Sequence, residues 1–188
     1  MKKLALVVLL SLELAVCGCG TSGLNNNNTN TEATGSWEAQ LTGGTEQASL
    51  LNFVTTFNVT NSGPLNITGF GFFNNGACFA TGTNAENESG TADFTTSSTN
   101  AVTGTLSMTI TSSTTGAVLA LSGNLTGTSN GNTTTTGTLS NGIVVGTWTL
   151  NPGSGSSNCT GQLTGPFIMC QGKSTCSTTA TASARKKP

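Results

Sequence analysis

The chain has no histidine and no tyrosine, and between Lys3 and Lys173 it has neither lysine nor arginine. Without an imidazole, the commonest proton shuttle and the commonest metal ligand are both missing. Without a cation through the body, nothing can neutralise a phosphate backbone, which argues against nucleic acid as a partner. The basic residues that remain are Lys2 and Lys3 at one end, and Lys173 with Arg185, Lys186 and Lys187 at the other; the last three read as a solvated terminus. Charged residues are only 7% of the chain, so solubility has to come from hydroxyls and amides.

Acidic residues are as sparse. Glu86 and Glu88, in the run Thr-Asn-Ala-Glu-Asn-Glu-Ser-Gly-Thr, are the one tight pair. A glycosidase pair has to flank a sugar from separate positions; two carboxylates one residue apart in a Gly/Asn-rich segment read instead as a solvated turn, or at most a weak Ca²⁺ contact. Glu38 and Asp93 are the carboxylates left for a glycan hydrolase, which ranks last among the functional readings. Serines are abundant but no imidazole base accompanies them. The chain is therefore expected to have no catalytic activity, no metal site and no cofactor.

What is present begins with a leader. Lys2 and Lys3 precede the apolar run Leu4 to Leu10 and the segment Ser11 to Val16, the order of a signal peptide. The run is too short, and too interrupted by Glu13, for the ~20 apolar residues of a membrane-spanning helix. The stretch Leu14-Ala15-Val16-Cys17-Gly18-Cys19 resembles the lipobox of bacterial lipoproteins, in which a small residue precedes the lipidated Cys. Val16-Cys17-Gly18-Cys19 fits better than Leu14-Ala15-Val16-Cys17, because Gly18 is small and Val16 is β-branched. The resemblance implies acylation of Cys19, a lipid tether to the cell envelope and, with Gly20 following the Cys, an outer-membrane location.

Cleavage before Cys19 leaves Cys78, Cys159, Cys170 and Cys176, an even set suited to disulfides in an oxidising compartment. Of the three connectivities, Cys78 with Cys159 and Cys170 with Cys176 is preferred. Cys170 and Cys176 enclose a short Gly-containing loop, while Cys78 and Cys159 each follow a turn signal and are expected near one rim.

Residues 1–18 are thus assigned to the signal peptide, 19–35 to a disordered tether (nearly devoid of apolar residues), 36–171 to one domain, and 172–188 to a disordered tail. Within the domain, Thr, Ser, Asn and Gly dominate, which suits pleated surfaces and turns. Asn75-Gly76, Asn130-Gly131 and Asn141-Gly142 supply type I′ hairpin dipeptides, and Asn61-Ser-Gly-Pro64 and Asn151-Pro-Gly-Ser154 supply looser turns. Period-two alternation runs between them, as in Phe53, Thr55, Phe57, Val59 and in Val102, Gly104, Leu106, Met108, Ile110. Leu65 and Ile67 fall on one parity and Phe70 and Phe72 on the other; a bulge near Gly69 or Gly71 would bring all four inward.

Strands are expected near 36–42, 51–60, 65–74, 77–82, 91–98, 102–111, 117–126, 133–139, 143–150 and 161–169. Sequential hairpins make an antiparallel meander, and with so few charges to guard an edge the safer solution is an all-β, up-and-down β-barrel of about 8–10 strands. A β-sandwich is the alternative.

Gly35-Ser36-Trp37, opening the first strand, and Gly146-Thr147-Trp148 near the last resemble the Gly-x-Trp signature of the calycins, the lipocalins and avidin-like proteins. The lipocalin Thr-Asp-Tyr turn and the Arg that packs across the Trp have no counterpart here. The resemblance implies an up-and-down barrel and brings no particular ligand site with it. Trp37 and Trp148 are expected in the core, each indole N–H bonded to a carbonyl. The sharper alternative has Trp37, Phe57, Phe72 and Trp148 lining a cup for a small apolar or sugar-like ligand. The function so implied is a non-catalytic, lipid-anchored envelope protein with a lipocalin-like barrel. The competing reading is a structural or adhesive surface module whose Thr/Asn-rich faces meet polysaccharide.

Overall fold

The computed structural model describes residues 30–42, 51–73, 78–79, 86–131, 135–153 and 164–172. The regular structure among them is nine strands: β1 (Thr31–Leu41), β2 (Phe53–Thr60), β3 (Ser62–Pro64), β4 (Asn66–Phe72), β5 (Glu86–Thr96), β6 (Ala101–Ser112), β7 (Val118–Ser129), β8 (Gly137–Asn151) and β9 (Thr164–Gln171). They form one sheet in the order β3-β5-β6-β7-β8-β9-β1-β2-β4. Only Leu65 separates β3 from β4. The two are halves of one bent strand, the first pairing with β5 and the second with β2. Counted as one, they reduce the nine to eight staves, closed first to last where Trp37–Leu41 of β1 pairs with Phe167–Gln171 of β9. The architecture is the expected antiparallel barrel, nearly closed; one short parallel contact, Thr31 and Glu32 with Gly137 and Thr138, crosses its floor.

Alternation drives the closure. On every long strand one parity is buried: Trp37, Ala39 and Leu41; Phe53, Thr55, Phe57 and Val59; Leu106, Met108 and Ile110; Leu119, Leu121 and Leu125; Val144, Trp148 and Leu150. The other parity is Thr, Ser and Asn facing water. A fully buried Leu, Ile or Phe contributes about 1.5–3 kcal/mol, and the interior holds more than a dozen such side chains. Inward positions that carry no side chain matter as much. A Cβ at Gly104 would overlap Asp93 O and Phe94 Cα, and one at Gly146 would overlap Ser122 O and Gly123 Cα. Glycine at these sites lets neighbouring strands coil tightly enough to close a narrow barrel.

The phase slip resolves as anticipated. Thr56 pairs with Gly69 and Phe57 with Ile67, so Thr68 is the extra residue of a bulge. Leu65 is buried and Ile67, Phe70 and Phe72 all pack against the core.

Three of the expected boundaries change substantially. β1 begins at Thr31 rather than Ser36, because Thr31 and Ala33 are buried despite their small size. Thr31 Oγ1 lies 2.7 Å from Thr96 Oγ1 and donates to Ser129 Oγ at 2.9 Å. The last five residues assigned to the tether are therefore strand. Asn141-Gly142 is no hairpin: β8 runs unbroken through it, with Asn141 at φ 53° and the pairing with β7 shifting between Thr126 and Thr128. Gly142 is required there because the Trp37 ring occupies the space of a Cβ. The expected 133–139 strand thus joins the next one. β5 starts at Glu86 and not near 91, so the two glutamates are in a strand and not in a turn. Asn75-Gly76, and most of the expected 77–82 strand, lie outside the described residues; Cys78 and Phe79 are described and buried. The turn at Asn151 is present: its Oδ1 accepts from Gly153 N at 3.2 Å, with Gly153 at φ 72°.

Candidate functional site

The bend between β3 and β4 leaves the barrel unzipped over part of one seam. Below the bend, Ser62 to Pro64 pair with Asp93 to Thr91, Phe94 N donates to Asn61 O at 2.7 Å, and Leu65 N donates to Gly90 O at 2.8 Å. Above it, among the described residues, no ladder joins β4 to β5. The bulge at Thr68 supplies the cause: it turns β4 towards β2 and so away from β5.

A cleft of about 420 Å³ occupies this gap, lined by Ile67, Thr68, Gly69 and Phe70 on one bank and Glu86, Asn87 and Glu88 on the other. Ile67 and Phe70 share the inward side of β4 with Phe72. Glu86 and Glu88 share the parity of the buried Ala92 and Phe94, so both carboxylates are set on the barrel side of β5. Behind Phe70, and not lining the cleft, lies an aromatic cluster: Phe53 to Phe70 at 5.2 Å, Phe70 to Phe72 edge-on at 5.0 Å, and Phe72 to Phe79 at 4.8 Å.

Burial raises the Glu88 carboxyl above its ordinary range; a backbone hydrogen bond offsets part of this, and the nearby Glu86 charge adds to it. Chemically the cleft offers a mainly polar surface, with the apolar Ile67 and Phe70 on one bank, two carboxylates on the other, and two strand edges that no ladder joins among the described residues.

A second, open hollow of about 500 Å³ lies on the outer wall, lined by Ser62, Gly63, Thr91, Ala92, Asp93, Thr105, Leu106, Ser107 and Ser122. Five of these residues carry hydroxyls, and Thr91 Oγ1 and Ser107 Oγ are 3.0 Å apart, but the exposed surface is more apolar than polar. Asp93 borders it and Glu38 does not. Glu38 is on β1, bonded to its neighbour Gln40 at 3.1 Å.

The four residues expected around a ligand cup are placed as follows. Trp37 and Trp148 are 0% exposed and Phe57 is 2% exposed. The Trp37 and Phe57 rings stack at 5.3 Å. Phe72 belongs to the aromatic cluster behind the seam. None of the four lines either cleft described above. The two indoles differ: Trp148 Nε1 donates to Thr42 O at 3.0 Å, whereas Trp37 Nε1 is buried without a hydrogen-bond partner. Cys78 and Cys170 each belong to a disulfide, and no bond between the two is present. Cys19, Cys159 and Cys176 lie outside the described residues.

Sequence reasoning missed two features. Gln171 ties three strands together, its Nε2 donating to Thr34 O and Leu139 O at 3.0 Å each and its Oε1 accepting from Gly142 N at 3.2 Å; nothing in the local pattern marks it. Gly127-Thr-Ser129-Asn-Gly131 has the spacing of a hydrolase nucleophile elbow. Ser129, however, ends a strand, is 5% exposed, and its Oγ accepts from Thr31 Oγ1 and from Gly131 N. It is a buried structural hydroxyl.

The chain matches no family model, and no curated protein or solved structure is significantly similar to it.

Proposed function

We propose that this chain is a non-catalytic, lipid-anchored protein of the cell envelope, tethered to the outer membrane through Cys19, whose barrel binds a small apolar or sugar-like ligand at the seam between β4 and β5. Disulfides Cys78–Cys159 and Cys170–Cys176 would hold its rims. One observation carries the binding site: the cleft of about 420 Å³ lined by Ile67 and Phe70 opposite Glu86 and Glu88. Its exposed surface is mainly polar, with Ile67 and Phe70 on one bank facing two convergent carboxylates on the other, which suits a ligand that offers polar groups to Glu86 and Glu88 and a short apolar part to the β4 bank. Binding moves from the expected tryptophan cup to this seam because Trp37, Phe57 and Trp148 are packed in the core.

The absence of an imidazole in the chain supports the non-catalytic reading, as does the placement of the carboxylates. Glu86 and Glu88 are two residues apart on one strand and cannot flank a glycosidic bond from opposite sides.

The test uses the purified Cys19→Ala protein, which lacks the acyl anchor. A saturable rise in fluorescence of the neutral apolar dye Nile red, lost in Ile67→Asp with the fold retained, is the expected result. Undiminished binding in that variant would refute the seam as the site. A structural or adhesive role is the second reading, favoured by the Thr and Ser side chains on the outward parity around the outer-wall hollow, such as Thr91, Thr105 and Ser107. Polysaccharide retention lost in a Thr91→Val, Ser107→Val double variant but intact in Ile67→Asp would support it.

A further inference from the structure

The seam has two unlike banks. β4 sets Ile67 and Phe70 on one side, and β5 sets Glu86 and Glu88 on the other, all four half-buried. We infer that the ligand of this cleft carries a protonated amine on a short apolar stem, the amine held between Glu86 and Glu88 and the stem laid along Ile67 and Phe70. This rests on the seam as the binding site and adds the chemical class of what binds there.

Strand parity brings the two carboxylates to one place. They are two residues apart on β5, on the side of the sheet that carries the buried Ala92 and Phe94, so their Cβ atoms stand about 6.6 Å apart along the strand. Across the ladder Glu88 pairs with Ile110 and Glu86 with Ser112, both buried, which keeps the two side chains off the outer wall. From such positions two flexible glutamates can both reach one ammonium group, a compact charge with three donors.

Electrostatics then selects a cation over a neutral group. Burial is the main cause that raises the Glu88 carboxyl, and the Glu86 charge adds to it, so the two anions repel in a partly desolvated setting. A cation between them turns that repulsion into attraction for both. A sugar hydroxyl brings a hydrogen bond but no charge, and a wholly apolar ligand strips water from the carboxylates without replacing it.

The stem follows from the other bank and from the closed lower end. Leu65 N donates to Gly90 O at 2.8 Å, and the Leu65 side chain fills the space where a Gly90 Cβ would be. The chain is pinned to β5 at that height, and above it no ladder joins β4 to β5 among the described residues. A stem that lies along β4 covers the half-exposed carbons of Ile67 and Phe70, and each methylene fully withdrawn from water tightens binding roughly fourfold. A lysine side chain is the same head on the same stem. Two sources therefore share this chemistry: a free alkylamine, and a lysine in an extended peptide whose backbone also pairs with the edge of β5.

Backbone NMR of the ¹⁵N-labelled Cys19→Ala protein at neutral pH tests the inference, with separate titrations of n-hexylamine, n-hexanol, methylamine and a capped Ala-Ala-Lys-Ala-Ala peptide. Amides of residues 66–70 and 86–89 should report hexylamine binding roughly tenfold tighter than hexanol, the scale of a hydrogen bond to a charged partner. Methylamine, which lacks the stem, should bind more weakly than hexylamine. In the Glu86→Gln, Glu88→Gln double variant the advantage over hexanol should vanish while hexanol binding is retained. A peptide that binds more tightly than hexylamine assigns the site to a lysine, and one that binds more weakly assigns it to a free amine.

Equal affinities of the unmodified seam for hexylamine and hexanol would overturn the inference and leave the seam as a site for neutral ligands, a comparison that needs no variant to fold. A preference for hexylamine that survives the double substitution would overturn it too, since the charge would then be met elsewhere. Equal binding of methylamine and hexylamine would reduce the site to a general attraction of acidic residues and overturn the stem. Hexylamine binding without a Nile red response would defeat only the apolar-ligand reading, and silence of the seam towards all four probes would defeat both.

Discussion

Replacing Gly146 with alanine should be among the most damaging single-methyl changes in this barrel. Gly146 lies on the inward parity of β8, between Val144 and Trp148, opposite Gly123 of β7 and Phe167 of β9. A Cβ there would overlap Ser122 O and Gly123 Cα. Both are backbone atoms, so no rotamer change can relieve the overlap. β7 and β8 would have to part locally, although each is also held on its other side, β7 by β6 and β8 by β9. Overpacking a core by one methyl typically costs about 1–3 kcal/mol, and the loss of ladder geometry puts this case at about 3 kcal/mol. For a domain of this size that is a fall in Tm of roughly 6–12 °C.

Gly71 is the matched control. It too is a strand glycine, on the exposed parity of β4, but nothing lies within 4 Å of where its Cβ would be. Gly71→Ala should be neutral, or stabilising by about 0.4–1 kcal/mol through the unfolded chain. Thermal unfolding of both variants in the Cys19→Ala background, with disulfides kept intact, makes the comparison. Equal Tm values for Gly146→Ala and Gly71→Ala would refute the account of inward glycines as the device that closes the barrel.

Further outcomes follow from the same geometry. Glu88 has a raised carboxyl pKa in the fold, from burial first and from Glu86 as well. The folded chain therefore takes up this proton before the unfolded one, and the group's contribution to stability rises as pH falls through the folded pKa towards the ordinary value. Glu88→Gln should flatten that slope in urea titrations between pH 7 and pH 4.5 and raise stability at pH 7; a steeper slope in the variant would contradict the assignment. Labelled palmitate should be incorporated into the Cys17→Ala precursor and not into Cys19→Ala, and the reverse pattern would move the lipid to Cys17. With Trp37 and Trp148 both 0% exposed, iodide should leave native tryptophan emission unquenched; strong quenching would mean that a mouth reaches the indoles.

Much of this fold is legible because period-two alternation and barrel closure act on whole strands. Parity alone put Phe53, Phe57, Leu106, Met108, Leu119 and Trp148 inside, and the parity slip between Ile67 and Phe70 called for a bulge near Gly69 or Gly71, which the register places at Thr68. What escaped was set by distant partners. Asn141-Gly142 has turn chemistry, yet the Trp37 ring fills the space beside Gly142 and the dipeptide becomes a bulge within β8. Thr31 to Gly35 have no large apolar side chain, but the buried hydroxyls of Thr96 and Ser129, 65 and 98 residues away in sequence, draw that segment into β1.

The seam was invisible for a related reason. The bulge could be inferred, but its consequence for β5 depends on where two strands that are not hairpin partners pass one another. The same uncertainty hid Glu86 and Glu88, whose Gly/Asn-rich surroundings suggest a turn although Gly90 allows a strand to run beneath Leu65.

The central claim is that binding occurs at the β4–β5 seam and not around the tryptophans. Backbone NMR of the ¹⁵N-labelled Cys19→Ala protein, with and without saturating Nile red, tests it most directly. The account predicts that shift changes concentrate at residues 66–70 and 86–89, with Trp37 and Trp148 indole signals unmoved. Changes centred on Trp37, Phe57 and Trp148, with the seam silent, would contradict it.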